Sequence, residues 1–391
     1  MVAHPWIERI ERLSAAGLER SPRCVLGAVG PSIATADGTK LLFCSNDYLG
    51  LAADQRLISA AIEAAAAHGV GAGASRAVSG NHALHEALER RAAAFFETQA
   101  AVLFPSGYQA NVGALSSLVD KGDAVFSDAL NHASIIDGCR LSRAAVHVYK
   151  HADAGDLARL LDETRTAGLK LVVTEAVFSM DGDKAPLGQI CSAAHSRGAV
   201  VYVDEAHALG VLGSGGRGLA DEAGVSADVA VRMGTFGKAI GVSGAFVACG
   251  DAPARLMRSR ARSLLYTTGA PPLLAAAALV GLDLAQAADD RRETLARNVR
   301  FYREGASAAG VPLARSETPI QPVPIGDARR AMAVSEALWR RGFFVQGIRP
   351  PTVPEGTARL RVTLSSAHTR EQIDLLVDAL AASLAACGVA P

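Results

Sequence analysis

Along the first hundred residues, apolar positions recur at helical spacing. Ile7, Ile10 and Leu13 share a face, which predicts an amphipathic helix over residues 5–19. In TADGTKLLFCSNDYLGL, which follows, Asp37-Gly38 marks a hairpin turn and SNDYLG a loop. Residues 55–68 and 82–97 read as helices, joined by the glycine-rich link GVGAGASRAVSG. From about residue 100, short apolar runs alternate with helical patterns. AAVLFPSG, DAVFSD, AAVHVYKH, LKLVVTEAVFS, AVVYVDEAH and DVAVRM read as strands. YQANVGALSSLV, HASIIDGCRLS, DAGDLARLLDETRTAG and PLGQICSAAHSRG read as helices between them. This alternation predicts βαβ units and a largely parallel sheet with helices on both faces. The unbroken apolar runs LVV and VVYV suit strands buried on both faces. The last third changes character. Residues 272–309 are helix-rich, and IQPVPIGD, FFVQGIRP and RLRVTLS then alternate with helices such as REQIDLLVDALAASLAAC. That predicts a second, smaller α+β domain. The expected organisation is a helix-and-hairpin segment over 1–50, a large domain over 51–285 and a small C-terminal domain over 286–391.

Composition narrows the function classes. At 391 residues the chain exceeds the roughly 250–300 residues at which a single core stops growing. Lys+Arg and Asp+Glu both total 39, so the net charge is zero and nucleic acid finds no bulk electrostatic partner. The six cysteines include no CxxC pair, which predicts free thiols in a reducing compartment. HPWIERIERLSAAGLER has charges throughout and no apolar leader, and APPLLAAAALVGL is shorter than the roughly 20 residues a bilayer span needs. The expected setting is cytoplasmic. Three motifs are set aside. DEAH (Asp204 to His207) lacks a Walker A loop, because Gly237-Lys238 is followed by Ala239 and Arg232 stands where the first glycine belongs. GSGGRG (Gly213 to Gly218) does not open directly from a strand, and no clear helix follows it. HALHE is not HExxH, and no GxSxG occurs.

In open α/β sheets, ligands bind beyond the carboxyl ends of strands. Polar groups cluster at such ends here: Ser106-Gly107-Tyr108, Asn131-His132, Glu175 and Ser179, Asp204 and His207, Thr235 and Lys238. Lys238 sits in TFGKAIG, where the chain turns out of a buried run, an odd place for a solvated amine. A lysine, a carboxylate at a neighbouring strand end, a histidine and small phosphate-binding loops suit pyridoxal 5'-phosphate. Lys238 would carry the cofactor, Asp204 would pair with its ring nitrogen, and His207 would reach its phenolic oxygen. Ser106, Gly107 and Tyr108 would cup the phosphate at a helix start.

SNDYLGL, FPSGYQAN, NHASIIDG, TEAVFSMDGD, VDEAHALGVLG, GRG and TFGKAIGVSGA together resemble the α-oxoamine synthases, in one order over residues 5–380. The resemblance implies a fold-type I pyridoxal-phosphate enzyme with a mostly parallel, seven-stranded sheet. It implies an acyltransferase that joins a small amino acid to an acyl thioester with loss of carbon dioxide and CoA. His132 would stack on the cofactor ring; Ser179 and His207 would contact its oxygen. Gly107, Tyr108 and Thr235 would help hold the cofactor. Thr267 and Thr268 in YTTGAPP would reach the phosphate across a homodimer interface. Asn46 would lie near the substrate, and Arg361 would grip the amino acid carboxylate. GIRPPTVPEGTARLRVTL looks like the biotin-pathway branch, which uses L-alanine and a pimeloyl thioester carried on CoA or acyl carrier protein. Thr352 and Arg20, with Arg23 close by, would then meet the acyl substrate or product. The alternative is a sister branch using glycine and a short acyl-CoA. Other pyridoxal-phosphate chemistry and a catalytically silent partner subunit are the remaining rivals.

Overall fold

The computed structural model describes residues 6–389. α1 (Ile7–Ala15) is shorter than the periodicity predicts. Its expected start at residue 5 lies outside the described residues. It stops early because Gly17 takes a left-handed conformation (φ +67°) and its N–H bonds back to the Ser14 carbonyl at 2.9 Å. Every residue of α1 is exposed, with Ile7, Ile10 and Leu13 each more than 40% accessible, so its apolar face is not buried against the described residues. β1 (Ser32–Thr35) and β2 (Gly38–Leu42) form the expected hairpin. Thr35 pairs with Gly38, so the two-residue turn is Ala36-Asp37, and Gly38 follows it at φ +91°.

α2 (Gln55–His68) and α3 (Ala83–Phe95) precede the alternating region. That region runs β3 (Ala100–Phe104), α4 (Gly107–Leu118), β4 (Ala124–Asp128), α5 (Ala133–Ser142), β5 (Ala145–Tyr149) and α6 (Ala154–Glu163). It continues with β6 (Lys170–Glu175), α7 (Leu187–His195), β7 (Val200–Asp204), the short α8 (Leu219–Glu222), β8 (Val231–Thr235) and β9 (Ala245–Cys249). The seven strands form one sheet in the order β3-β9-β8-β7-β6-β4-β5. All neighbours are parallel except β9, which runs antiparallel to both β3 and β8. The sequence pattern did not single out β9, because its five-residue apolar run AFVAC follows β8 through a loop with no intervening helix and so falls outside the strand–helix alternation. α6 ends at Glu163 rather than running through residue 168. Thr166 instead bonds the Gly122 carbonyl at 2.6 Å, and the Asp123 carboxylate takes the Leu169 N–H at 2.8 Å. α8 does follow GSGGRG, although it is only four residues long. α9 (Asp251–Arg260), α10 (Arg262–Leu265) and α11 (Pro272–Gln286) complete this region.

α12 (Asp289–Ala308), β10 (Ile320–Gly326), α13 (Ala328–Arg340), β11 (Phe343–Phe344), β12 (Gln346–Ile348), β13 (Ala358–Thr363) and α14 (Arg370–Ala386) follow. β11 joins β2 in parallel; β10, β13 and β12 make a separate antiparallel sheet. By internal contacts the chain divides into two compact units. The larger comprises residues 49–179 and 183–292; the smaller comprises residues up to 48, 180–182 and from 293 onward. The core of the larger unit lies between the sheet and its helices. It is built from residues such as Val102, Leu115, Val125, Ile135, Val173, Tyr202 and Met233, each at most 1% exposed. Among the described residues, no single helix is long and apolar enough to cross a membrane.

Candidate active site

In the larger unit, the parallel strands β4, β6, β7 and β8 deliver their polar residues to one edge of the sheet. Glu175 ends β6 and Asp204 ends β7, and the two are direct register partners on adjacent strands. Their side chains therefore project from the same face. Asp204 is 4% exposed and well held: Oδ1 accepts the Ala206 N–H at 2.9 Å and Oδ2 accepts Asn111 Nδ2 at 2.7 Å. Glu175 is also buried, and its Oε1 has no hydrogen-bond partner. Burial raises its carboxyl well above the ordinary range, and the adjacent Asp204 adds to the rise. Lys238 and the His132 backbone N–H pull the other way. Of these two carboxyls, Asp204 has a donor on each oxygen, whereas Glu175 Oε1 has none.

Lys238 lies in the loop between β8 and β9, half-buried. The loop is braced from within. Phe236 N–H bonds the Gly244 carbonyl at 2.9 Å, Val242 N–H the Phe236 carbonyl at 2.8 Å, and Gly241 N–H the Lys238 carbonyl at 2.9 Å. Thr235 Oγ1 donates to the Gly244 carbonyl at 3.0 Å and accepts from Gly237 N–H at 3.2 Å. Gly241 has φ +77°, and a Cβ there would meet Ala52 N at 2.6 Å, so the glycine is required. The lysine is thus presented at a rigid turn, which answers why a charged residue follows a buried strand.

His132 caps α5. Its Nδ1 accepts the Ser134 N–H at 3.2 Å and lies 2.7 Å from Ser134 Oγ. The residue is partly exposed, and the burial of its ring lowers its proton affinity. Asp204 opposes that shift and Lys238 reinforces it. His207 is buried in the loop after β7, and Ser179 is half-buried beyond β6. Ser106 caps α4 by accepting the Gln109 N–H, leaving the first N–H groups of the helix, at Gly107 and Tyr108, without intrahelical partners. Gly107 stands beside Thr235, with an added Cβ 3.8 Å from Thr235 Oγ1. Tyr108 is half exposed and donates its hydroxyl to Asp137. Thr267 and Thr268 lie on a separate loop after α10, where Gly269 N–H ties to the Ala74 carbonyl at 2.9 Å. The structure brings neither threonine into a hydrogen bond with the Lys238 group.

The smaller unit carries a second set. Arg361 on β13 is buried and donates to Asn46 Oδ1 at 3.1 Å; the Tyr48 hydroxyl donates to the same oxygen at 3.3 Å. Arg20 donates to Thr352 Oγ1 at 3.0 Å, which joins two sequence-predicted residues 332 positions apart. The neighbouring Arg23 is occupied, paired with Glu336 at 2.6 Å and lying 3.8 Å over the Trp339 ring.

Sequence reasoning passed over Asn111, although it stands within FPSGYQAN, because an asparagine inside a helix carries no signal of its partner. It passed over the pairing of Glu175 with Asp204 because register between strands is not written locally. The donor set fits pyridoxal phosphate. It comprises a presented amine, a buried carboxyl held by two donors, a partly exposed imidazole, and a helix start whose first N–H groups have no intrahelical partner.

The sequence profile of the aminotransferase class I and II family matches residues 38–380. An 8-amino-7-oxononanoate synthase of Marinobacter nauticus is 50% identical over 380 residues, spanning 97% of this chain and 96% of that one. A serine palmitoyltransferase structure with pyridoxal phosphate matches with a TM-score of 0.93 at 32% identity, covering 98% of both chains. An 8-amino-7-oxononanoate synthase structure from Francisella tularensis matches with a TM-score of 0.76 at 30% identity, covering 89% of this chain and 98% of that one.

Proposed function

The chain belongs to the aminotransferase class I and II family, as an α-oxoamine synthase, and on that premise we propose that it condenses L-alanine with a pimeloyl thioester. The products are 8-amino-7-oxononanoate, carbon dioxide and the free carrier thiol, a step of biotin synthesis. The observation that carries this reading is the 50% identity to an 8-amino-7-oxononanoate synthase over 97% of the chain. The greater backbone likeness to serine palmitoyltransferase does not shift it, because side chains in the site rather than the shared fold select the acyl group.

Pyridoxal phosphate, when bound, supplies an electron sink for charge left at the amino acid's α-carbon. Lys238 would hold it covalently, and Nζ is the base that takes the α-proton and later returns one. The loop bracing at Phe236, Gly241 and Val242 keeps that amine in place while it does so. Asp204 supplies the fixed negative partner for the ring nitrogen. His132 would stack on the ring, and Ser179 and His207 would hold the ring oxygen. Gly107, Tyr108 and Thr235 hold the phosphate side, with the α4 N–H groups adding dipolar support. Thr267 and Thr268 complete the phosphate site of a partner copy in a homodimer. Arg361, steadied by Asn46, takes the alanine carboxylate. Arg20 and Thr352 meet the acyl chain. The setting is cytoplasmic, which the free state of all six cysteines supports.

The test is thiol release by the cofactor-loaded protein. The substrate pairs are pimeloyl-CoA with L-alanine or glycine, acetyl-CoA with glycine, and succinyl-CoA with glycine, and pimeloyl-acyl carrier protein is run in parallel. Turnover confined to the pimeloyl and L-alanine pair is the expected result. Turnover with a glycine pair instead would assign the enzyme to a sister branch and remove Arg20 and Thr352 from their roles.

A further inference from the structure

One backbone N–H sets the direction of a whole chain of hydrogen bonds beneath the Lys238 group. Ser134 N–H donates to His132 Nδ1 at 3.2 Å, so that nitrogen carries no proton. Ser134 Oγ lies 2.7 Å from the same nitrogen and must spend its single proton there. The atom of Asn111 that lies 2.9 Å from Ser134 Oγ is therefore a donor, the amide NH2. The second hydrogen of that NH2 goes to Asp204 Oδ2 at 2.7 Å. Asn111 Oδ1 is left as an acceptor, and the Tyr202 hydroxyl donates to it at 2.7 Å. Asn111 is 1% exposed and Tyr202 is fully buried, so these groups lie away from bulk solvent.

We propose that Asn111 is a positioning residue for the reaction: its amide, oriented by Ser134 Oγ, donates to Asp204 Oδ2 and fixes that carboxyl in place, in the same hydrogen-bond chain in which the Ser134 N–H holds His132 as the tautomer with its proton on Nε2. Tyr202 in turn locks the amide against rotation. The inference rests on the cofactor roles proposed for Asp204 and His132. It adds that these two groups, on β7 and at the start of α5, are joined by a single side chain on α4. A neutral His132 stacks without placing a positive charge beside a protonated ring. With Asn111 donating to Oδ2 and the Ala206 N–H to Oδ1, each oxygen of Asp204 is fixed by a protein donor beside Glu175. Burial of His132, which lowers its proton affinity, acts in the same sense. The charged or titratable groups acting on this pair are Lys238, Glu175 and Asp137.

The test uses the pyridoxal-phosphate-loaded protein, with Asn111→Leu and Tyr202→Phe. Visible absorbance of the bound cofactor is followed against pH, and kcat and KM for L-alanine are measured with pimeloyl-CoA. In Asn111→Leu the pH midpoint of the absorbance change is expected to move by about one unit, the scale of losing a charge-assisted bond. kcat is expected to fall about 10-fold or more, the cost typical of removing an outer partner, with KM for L-alanine changed far less. Tyr202→Phe is expected to shift the midpoint in the same direction by a smaller step. A variant that keeps the absorbance band with an unshifted midpoint overturns the role of Asn111 alone. If Asn111→Leu does not fold, an unshifted Tyr202→Phe overturns it. A wild-type protein with no bound-cofactor band sinks the cofactor reading, and this inference with it.

Discussion

Lys238, Asp204, His132 and His207 stand out in the sequence as candidates by residue type and by position after a strand, and the structure places Asp204 at the end of β7 and Lys238 in the loop after β8. Lys238→Ala should lose thiol release to below detection, since no other amine stands at that turn; near-normal turnover would remove Lys238 from the mechanism. Asp204→Asn should keep the cofactor yet lose about 100-fold or more in rate, as a developing charge loses its fixed partner. His151 was not foreseen. Its Nδ1 contacts Asp128 at 2.9 Å and its Nε2 contacts Asp183 at 2.8 Å. Burial pulls its pKa down, but the hydrogen bonds to Asp128 and Asp183 outweigh it and push the ring up to about 10. A folded-state value above the unfolded 6.5 means a stabilising contribution that is whole below pH 6.5, shrinks as pH rises and is lost past about 10. His151→Leu should therefore lower the melting temperature at pH 6, and thermal scans should show the gap to wild type closing towards pH 10.5. A gap of constant size would assign the effect to packing.

Element type followed from periodicity almost throughout, and the ends of elements followed less well. α1 and α6 stop where a left-handed glycine or a threonine bonded to a distant carbonyl diverts the chain, and neither interrupts the local apolar pattern. Two predictions belong at this scale. Ser106→Ala removes the cap of α4 and should cost about 1 kcal/mol of stability, with weaker cofactor retention measured by equilibrium dialysis. Gly241→Ala forces a side chain into a left-handed turn, 2.6 Å from Ala52 N. It should shift the Lys238 loop and cost about 1–3 kcal/mol in unfolding free energy. Unchanged chemical denaturation and dialysis for Gly241→Ala would show that the loop is not rigid in the way described.

At the scale of the molecule, three uncovered apolar side chains give the proposed homodimer a surface to test. Val70 is 76% exposed, Val78 79% and Tyr266 73%. They flank the two segments that the Gly269–Ala74 hydrogen bond ties together, beside Thr267 and Thr268. A homodimer through this surface would cover them and give both threonines a role. Light scattering should report twice the 40.3 kDa chain mass, and Val78→Asp with Tyr266→Asp should shift it towards the monomer and weaken cofactor binding together. Dissociation with full cofactor affinity would detach Thr267 and Thr268 from the phosphate.

The sequence alone determined the alternation of strand and helix, the placing of reactive residues after strands, and the family resemblance carried by motifs such as TFGKAIGVSGA. These are local properties, set by side-chain type and spacing along the chain. Only the tertiary structure decided that β9 runs antiparallel, that Glu175 lies in register with Asp204, that Arg20 meets Thr352, and that Asn111 joins Asp204 to His132. Each of those is a contact between distant segments. Strand register and hydrogen-bond direction arise from how buried polar groups must satisfy one another once the chain has folded, and no local pattern records that.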